Sequence, residues 1–443
     1  MISRLNKEGI ENTVINVIGL GYVGQTLAAV LADVGYEVHG FDVNQSILDR
    51  IRKGNSPVAE PGLNSLIRKY LNKRLFVNKP GREYDNQASA VVISVGSPIN
   101  KETKKSNIEI VKRAAKEVSV YLKRKQTVIL RSTVPVGTTR EIVKPLLEKA
   151  SGLRAGEDFY LAFAPERTIE GAALKELRTL PQIVGGINEE SVDKTAKIFR
   201  KVTSTIVCVS SLEAAELIKL LDNSYRDLRF AYANSIARYC EKKGLNAFEV
   251  IRAANQGYER NTIPIPSPGV GGACLSKDPY ILVENAKDVG LTLVTLARKI
   301  NEGIPEQIIN RLNNEFSIEG KTVFVAGFAF KGKPETNDMR DSPTIDLVRH
   351  LKEKKARVVG YDPVVEKSKI RSIGVKPVEC IEDGLVDADV AIFMTNHHSF
   401  FDLNTDVLFS KMKSGGIVFD GWNIFRKEDI ERLGLKYRGI GIG

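Results

Sequence analysis

A chain of 443 residues is too long for a single hydrophobic core, and 42% hydrophobic with 27% charged residues is the balance of a globular protein of two or three domains. Its longest apolar runs, such as Val323–Phe330, are too short to cross a bilayer, and Met1–Asn12 lacks the apolar core of a secretory leader, so a cytoplasmic protein is expected, with no membrane partner. The net charge of +11 is dispersed in short runs such as Lys101–Lys105 and Lys123–Lys125, which fits anionic ligands and argues against nucleic acid.

The chain opens with an expected strand, Thr13–Ile18, then Gly19-Leu20-Gly21-Tyr22-Val23-Gly24, then a helical stretch, Gln25–Val34, and a second strand, Glu37–Asp42. In that setting Gly19 allows a tight turn, Gly21 lets the backbone approach a pyrophosphate, and Gly24 lets the helix pack close to the strand. Asp42 can accept hydrogen bonds from ribose hydroxyls and would repel a 2′-phosphate, so NAD is favoured over NADP. Further apolar runs at Ala90–Val95, Thr127–Leu130, Tyr160–Ala164 and Gln182–Val184 alternate with amphipathic stretches, the pattern of a parallel sheet covered by helices. A first domain is placed at residues 1–205.

Ser211–Lys243 has helical periodicity without Gly or Pro, with a serine cap before it and Gly244 as its stop. A helix of about thirty residues usually links domains or forms a subunit interface. The section 206–312 is expected to be helical and to contain a Gly/Pro-rich loop, 255–278. Within that loop Cys274 follows Gly271 and Gly272 and precedes Lys277 and Asp278. A cationic neighbour favours a reactive thiolate, and the glycines admit a ligand to the backbone. Lys219 and Asn223 share a helix face and could serve an oxyanion, while Glu166 and Asp278 could move protons or simply form ion pairs. The other cysteines (Cys208, Cys240, Cys380) and the four histidines show no metal spacing and no disulfide framework, so no metal is expected. In residues 313–443 the opening grammar returns: strand Lys321–Ala326 into Gly327, helix Thr344–Lys354, and strand Ala356–Tyr361 ending at Asp362. Strands at Val390–Met394 and Gly416–Asp420 follow. This third section is read as a second α/β domain, which lacks the three-glycine spacing. The fold class expected is α/β: two doubly wound Rossmann-like domains joined by a long central helix and a helical linker domain.

Seven ordered motifs then stand out: GLGYVG at 19–24, EPGL at 60–63, STVPVGT at 132–138, APER at 164–167, KLLDNSYRD at 219–227, GVGGACLSKDP at 269–279 and GFAFKGKPETNDMRDSP at 327–343. Together they resemble the UDP-glucose/GDP-mannose dehydrogenase family over nearly the whole chain. The resemblance implies NAD on the first domain, a UDP-sugar held by the third, and a four-electron oxidation at C6 of the sugar. Cys274 would form a thiohemiacetal and then a thioester, with two NADH per sugar. It further implies that Lys219 and Asn223 stabilise the oxyanion, that Asp278 assists water, and that Thr133 and Glu166 place or activate a water. Tyr22, Val23, Ser97, Thr133, Lys277 and Arg340 would be cofactor contacts. Arg167, Gly271 and Lys331 would meet the substrate, joined by Arg260 from across the interface of a homodimer or higher homo-oligomer.

Ile47 replaces a basic residue common in the family, and Ala273 stands where acetamido-sugar enzymes often have His. Lys277 matches the UDP-glucose and GDP-mannose enzymes, whereas APER and DNSYRD match the acetamido-sugar branch. The reading favoured is a UDP-N-acetylhexosamine such as UDP-N-acetyl-D-mannosamine. UDP-glucose is the alternative, followed by a two-electron NAD dehydrogenase and a non-catalytic nucleotide-sugar-binding protein.

Overall fold

The computed structural model describes residues 13–443 apart from 82, 83, 85, 86, 261 and 287. The polar segment Met1–Asn12 lies outside the described residues. Two compact units are present: the described residues of Met1–Asp222 with Tyr280–Ala286, and those of Asn223–Pro279 with Lys287–Gly443. The expected central section is therefore shared between them.

The first unit carries eight strands: β1 (Val14–Ile18), β2 (Glu37–Phe41), β3 (Leu75–Asn78), β4 (Ala90–Ile93), β5 (Thr127–Leu130), β6 (Tyr160–Phe163), β7 (Gln182–Gly186) and β8 (Ile206–Val209). They lie in the order 3-2-1-4-5-6-7-8. Alternate residues of each central strand feed opposite cores. Ile15, Val17, Ala90 and Val92 join one cluster, while Ile18, Val91 and Ile93 join the other. Each fully buried Ile or Val here contributes roughly 1.5–3 kcal/mol.

One expectation needs correcting. The sheet is parallel except at β6–β7, which pair antiparallel through Ala162–Gly186 and Phe163–Gly185. The connection between these two strands carries the seven-residue helix Ala173–Thr179. The chain re-enters the sheet at the end where it left.

The second unit holds β9 (Thr322–Ala326), β10 (Arg357–Tyr361), β11 (Lys376–Pro377), β12 (Val390–Phe393), β13 (Ile417–Asp420) and β14 (Lys436–Gly439). All are parallel, in the order 11-10-9-12-13-14. Both sheets thus reverse their strand order beside the first strand, the arrangement that opens a ligand crevice at the strands' C-terminal ends.

The long helix runs from Leu212 to Lys243, 32 residues and about 48 Å. The Ala214 N–H donates to the Ser211 hydroxyl at 3.1 Å, and Gly244 at φ +69° ends it. Among the described residues, no helix is long and apolar enough to cross a membrane.

Candidate functional site

In the first unit the glycine turn sits at the β1/β4 switch point. Gly19 has φ +89° and donates its N–H to the Phe41 carbonyl at 2.8 Å. A Cβ on Gly24 would lie 1.8 Å from the Gly19 carbonyl oxygen, so only glycine lets the helix Tyr22–Asp33 approach the turn. A Cβ on Gly21, the residue that caps this helix, would meet nothing within 4 Å. The N-terminal N–H groups therefore face open space, as a dinucleotide pyrophosphate requires. Asp42 follows β2, half-buried, and accepts from the Leu20 and Asn44 N–H groups at 2.7 and 2.8 Å. Tyr22 donates to Glu60 of EPGL, which also accepts from the Gly171 N–H at 2.8 Å. Burial first, then this partner, hold the phenol far above its usual range. Val23 continues the same helix, and Ser97 is buried beyond the end of β4. Ile47 packs against the apolar core, which accounts for an aliphatic residue there.

Thr133 lies just beyond β5, half-buried, at the head of a segment clamped onto the long helix by Glu216. Glu216 accepts from the Gly137 N–H (2.6 Å), the Thr139 N–H (2.8 Å) and the Thr139 hydroxyl (2.5 Å). Burial outweighs these donors and pushes its carboxyl up to about 7.

Glu166 is a different carboxyl. Its Oε2 accepts from Arg131 Nη2 at 2.6 Å, and its Oε1 accepts from the Arg167 and Thr168 N–H groups at 2.7 and 2.8 Å. Desolvation, the largest influence, would raise it. Arg131, the Thr168 N–H and Lys219 together hold it below the ordinary carboxylate value. Arg131 is fixed in turn by the Ala164 carbonyl and Gln182 Oε1, at 2.9 and 3.0 Å. With both oxygens engaged, Glu166 is built as a fixed anion near Lys219, which is itself buried. Arg167 forms a 3.1 Å ion pair with Asp222.

In the second unit Cys274 is exposed on the short helix Gly272–Leu275. Four residues on, the buried Asp278 accepts from Asn223 Nδ2 at 2.5 Å and from Lys277 Nζ at 2.6 Å. The Lys277 ammonium is thus paired with Asp278. The glycines of this loop also have another task. A Cβ on Gly271 would lie 2.0 Å from the Asp341 carbonyl oxygen, and one on Gly272 would lie 2.5 Å from the Phe330 ring. What approaches their backbone is the loop after β9, whose residues Lys331 and Arg340 were expected at ligands. Lys331 lies over the Phe330 ring at 5.5 Å, and Arg340 is exposed and ion-paired with Asp338 at 2.5 Å. Arg260 is exposed and stacks on Tyr258 at 5.9 Å.

Asp362, the counterpart of Asp42, is closed to ligands. Its side chain is buried and accepts from the Phe328, Ala329, Val364 and Val365 N–H groups at 2.6–2.9 Å. His397 lies 3.4 Å from it and 3.1 Å from Glu335. Desolvation alone would lower this imidazole, but the two carboxylates hold it above its usual value.

Three family models match the chain: the NAD binding domain of the UDP-glucose/GDP-mannose dehydrogenase family over residues 13–203, its central domain over 213–303, and its UDP binding domain over 324–427. The chain belongs to the UDP-glucose/GDP-mannose dehydrogenase family. As a member of that family it is an NAD-dependent nucleotide-sugar dehydrogenase, with its NAD binding domain in the first unit. UDP-N-acetyl-D-mannosamine dehydrogenase of Pyrococcus horikoshii is 32% identical over 97% of this chain and 99% of its own. A solved structure of the Pyrococcus horikoshii UDP-D-ManNAc dehydrogenase superposes with a TM-score of 0.88 at 32% identity, covering 97% of this chain and 100% of that one. A UDP-glucose dehydrogenase from Pyrobaculum islandicum superposes with a TM-score of 0.87 at 26% identity, covering 99% and 100%.

Within this family frame, several structurally prominent residues escaped the sequence reading. Arg131, Glu216, Asp227, Asn234, Arg298, Asn301 and His397 are all buried and polar. The only signals were motif neighbourhoods: Arg131 precedes STVPVGT, Glu216 stands three residues before Lys219, and Asp227 closes KLLDNSYRD.

Proposed function

We propose that the protein oxidises the C6 hydroxyl of a UDP-N-acetylhexosamine, UDP-N-acetyl-D-mannosamine in the first instance, to the carboxylate, with Cys274 as covalent nucleophile. The observation that carries this reading is an exposed thiol held four residues before a buried Asp278 that is bonded to Asn223 of the long helix. The acetamido sugar is supported by the relatives of Pyrococcus horikoshii and Campylobacter jejuni, 32% and 31% identical, both named UDP-N-acetyl-D-mannosamine dehydrogenase.

NAD, when bound, supplies the hydride acceptor at both oxidation stages. The chain's own residues do the rest. The Cys274 thiolate adds to the C6 aldehyde, and Lys219 and Asn223 donate to the oxyanion of the resulting thiohemiacetal. Oxidation leaves a thioester on Cys274. Asp278 orients the water that cleaves it, which releases the uronic acid and returns the thiol. Thr133 helps place that water, and Glu166 balances the Lys219 ammonium as a fixed anion. Gly271 and Lys331 border the sugar nucleotide with Arg167, while Lys277, Ser97 and Arg340 contact the cofactor. An exposed reactive thiol fits a reducing cytoplasm. We further read Tyr225, Tyr232 and Tyr239, exposed at seven-residue spacing along the long helix, as a self-association face of the homo-oligomer. Arg260 would reach the substrate of the neighbouring copy.

NADH release from UDP-N-acetyl-D-mannosamine, UDP-GlcNAc and UDP-glucose tests the reading. Two NADH per acetamido sugar are expected, with a loss of roughly three orders of magnitude in Cys274→Ala. Turnover of UDP-glucose with both acetamido sugars inert would transfer the activity to that substrate. One NADH per sugar, at full rate without the thiol, would end the covalent mechanism.

A further inference from the structure

The second unit contains a buried polar chain that no step above uses. Asp227 and Asn234 stand seven residues apart on the long helix and so share a face, and Arg298 and Asn301 stand three apart on the helix Thr292–Glu302. All four are at most 1% exposed. Arg298 Nη1 donates to Asp227 Oδ1 at 2.7 Å. Asn301 Nδ2 donates to the same oxygen and to the Asp227 carbonyl, both at 2.9 Å, while Asn301 Oδ1 accepts from Asn234 Nδ2 at 3.0 Å.

This chain ends on the cysteine loop. Arg298 Nη1 donates to the Leu275 carbonyl and Nη2 to the Val270 carbonyl, each at 2.7 Å. The Ser267 N–H donates to Asn234 Oδ1 at 2.9 Å. One guanidinium therefore grips the loop four residues before Cys274 and one residue after it, and an asparagine on the same network holds its entry. A planar fork with several donors suits this task, and an ammonium cannot replace it. Burying two charges and two amides is costly unless they are paired and hydrogen-bonded. An apolar core would have packed the helices equally well, but it could not have held two carbonyls of a Gly-rich loop.

We propose that Arg298, anchored by Asp227 and Asn301, is a positioning residue for the Cys274 nucleophile, fixing the backbone on both sides of the thiol. The inference rests on the covalent reading given above. It assigns no chemistry to Arg298, which acts only through the loop.

The test compares Arg298→Lys, which keeps the charge opposite Asp227 but loses the fork, with the pair variant Asp227→Leu/Arg298→Met, which removes both charges at similar volume. Hydrogen exchange of the amides in residues 268–278 reads the loop directly and needs no turnover. Exchange at least tenfold faster is expected there, with the peptides of β1 to β5 unchanged. In the same variants kcat should fall about 10²-fold while KM for the UDP-sugar moves a few-fold, the mark of a misplaced nucleophile in a folded enzyme. A folded variant with wild-type exchange and kcat within twofold overturns the proposal. Should Arg298→Lys fail to fold, the pair variant takes its place with the same two outcomes. Faster exchange in a protein whose wild type oxidises no nucleotide sugar would leave the loop anchor standing and sink the covalent reading instead.

Discussion

Glu166 and Glu216 are buried carboxyls of one unit, yet their surroundings drive them in opposite directions. Glu166 has a guanidinium 2.6 Å away, so charge wins over desolvation. Glu216 is offered only neutral donors, with Glu213 nearby, so desolvation wins and its carboxyl rises to about 7. A carboxyl raised on folding adds stability below its unfolded value and loses it as pH climbs through the folded one. Thermal melting of the wild type should therefore show a stability component that declines between about pH 4.5 and 7, by up to about 1.4 kcal/mol per pH unit. Glu216→Gln should flatten that slope; an unchanged profile would remove Glu216 as its source. For Glu166 the sign is reversed: the stability is present at neutral pH and is lost as pH falls through its lowered value. Arg131→Met strips this carboxylate of its partner at a site where both side chains are at most 8% exposed. A loss of about 3–5 kcal/mol in urea unfolding at pH 7 is expected.

The elements of the fold show which patterns can be read in advance. Central strands such as Thr127–Leu130 are buried on both faces and appear as uninterrupted apolar runs. The four strands that went unread, β3, β8, β11 and β14, are the four edges of the two sheets. They are two to four residues long, and all four carry exposed or half-exposed positions throughout or in alternation. Strand direction was also hidden, because β7 is buried throughout and its apolar run carries no sign of the direction in which it pairs. The glycine turn, by contrast, was legible in detail, and its positions separate experimentally. Gly24→Ala forces a Cβ against the Gly19 carbonyl and should lower the melting temperature by several degrees, through a loss of roughly 1–3 kcal/mol. Gly21→Ala meets no protein atom, so stability should hold while NAD affinity measured by calorimetry drops tenfold or more. Equal effects of the two variants would contradict the division of labour. At the start of the long helix, Ser211→Ala should cost about 1 kcal/mol in denaturant unfolding by leaving the Ala214 N–H without its hydroxyl partner.

For the molecule as a whole, the long helix carries Tyr225, Tyr232 and Tyr239 at 63%, 55% and 58% exposure. Large aromatic side chains repeated every seven residues make a stripe that a second copy of the same helix can cover. Sedimentation should give a mass of at least two chains, and Tyr232→Glu should shift it towards one. A wild type that sediments as a monomer at all concentrations would refute this face.

The amino-acid sequence alone carried the α/β class, the NAD binding domain with its glycine turn, the long helix with its caps and the Gly-rich loop that holds Cys274. Each of these depends on local rules, in which glycine positions, apolar periodicity and motif spacing act within a few residues of one another. Only the tertiary structure decided what the polar residues do. Glu166, open to proton transfer or to an ion pair, is a saturated anion, Lys277 is bound to Asp278, and Asp362 resembles Asp42 but is enclosed by four backbone N–H groups. Arg298 and Asp227, 71 residues apart, gave no signal that they pair. The physical reason is that a buried polar group takes its role from its partners, and those partners are brought together by folding across distances that no local pattern spans.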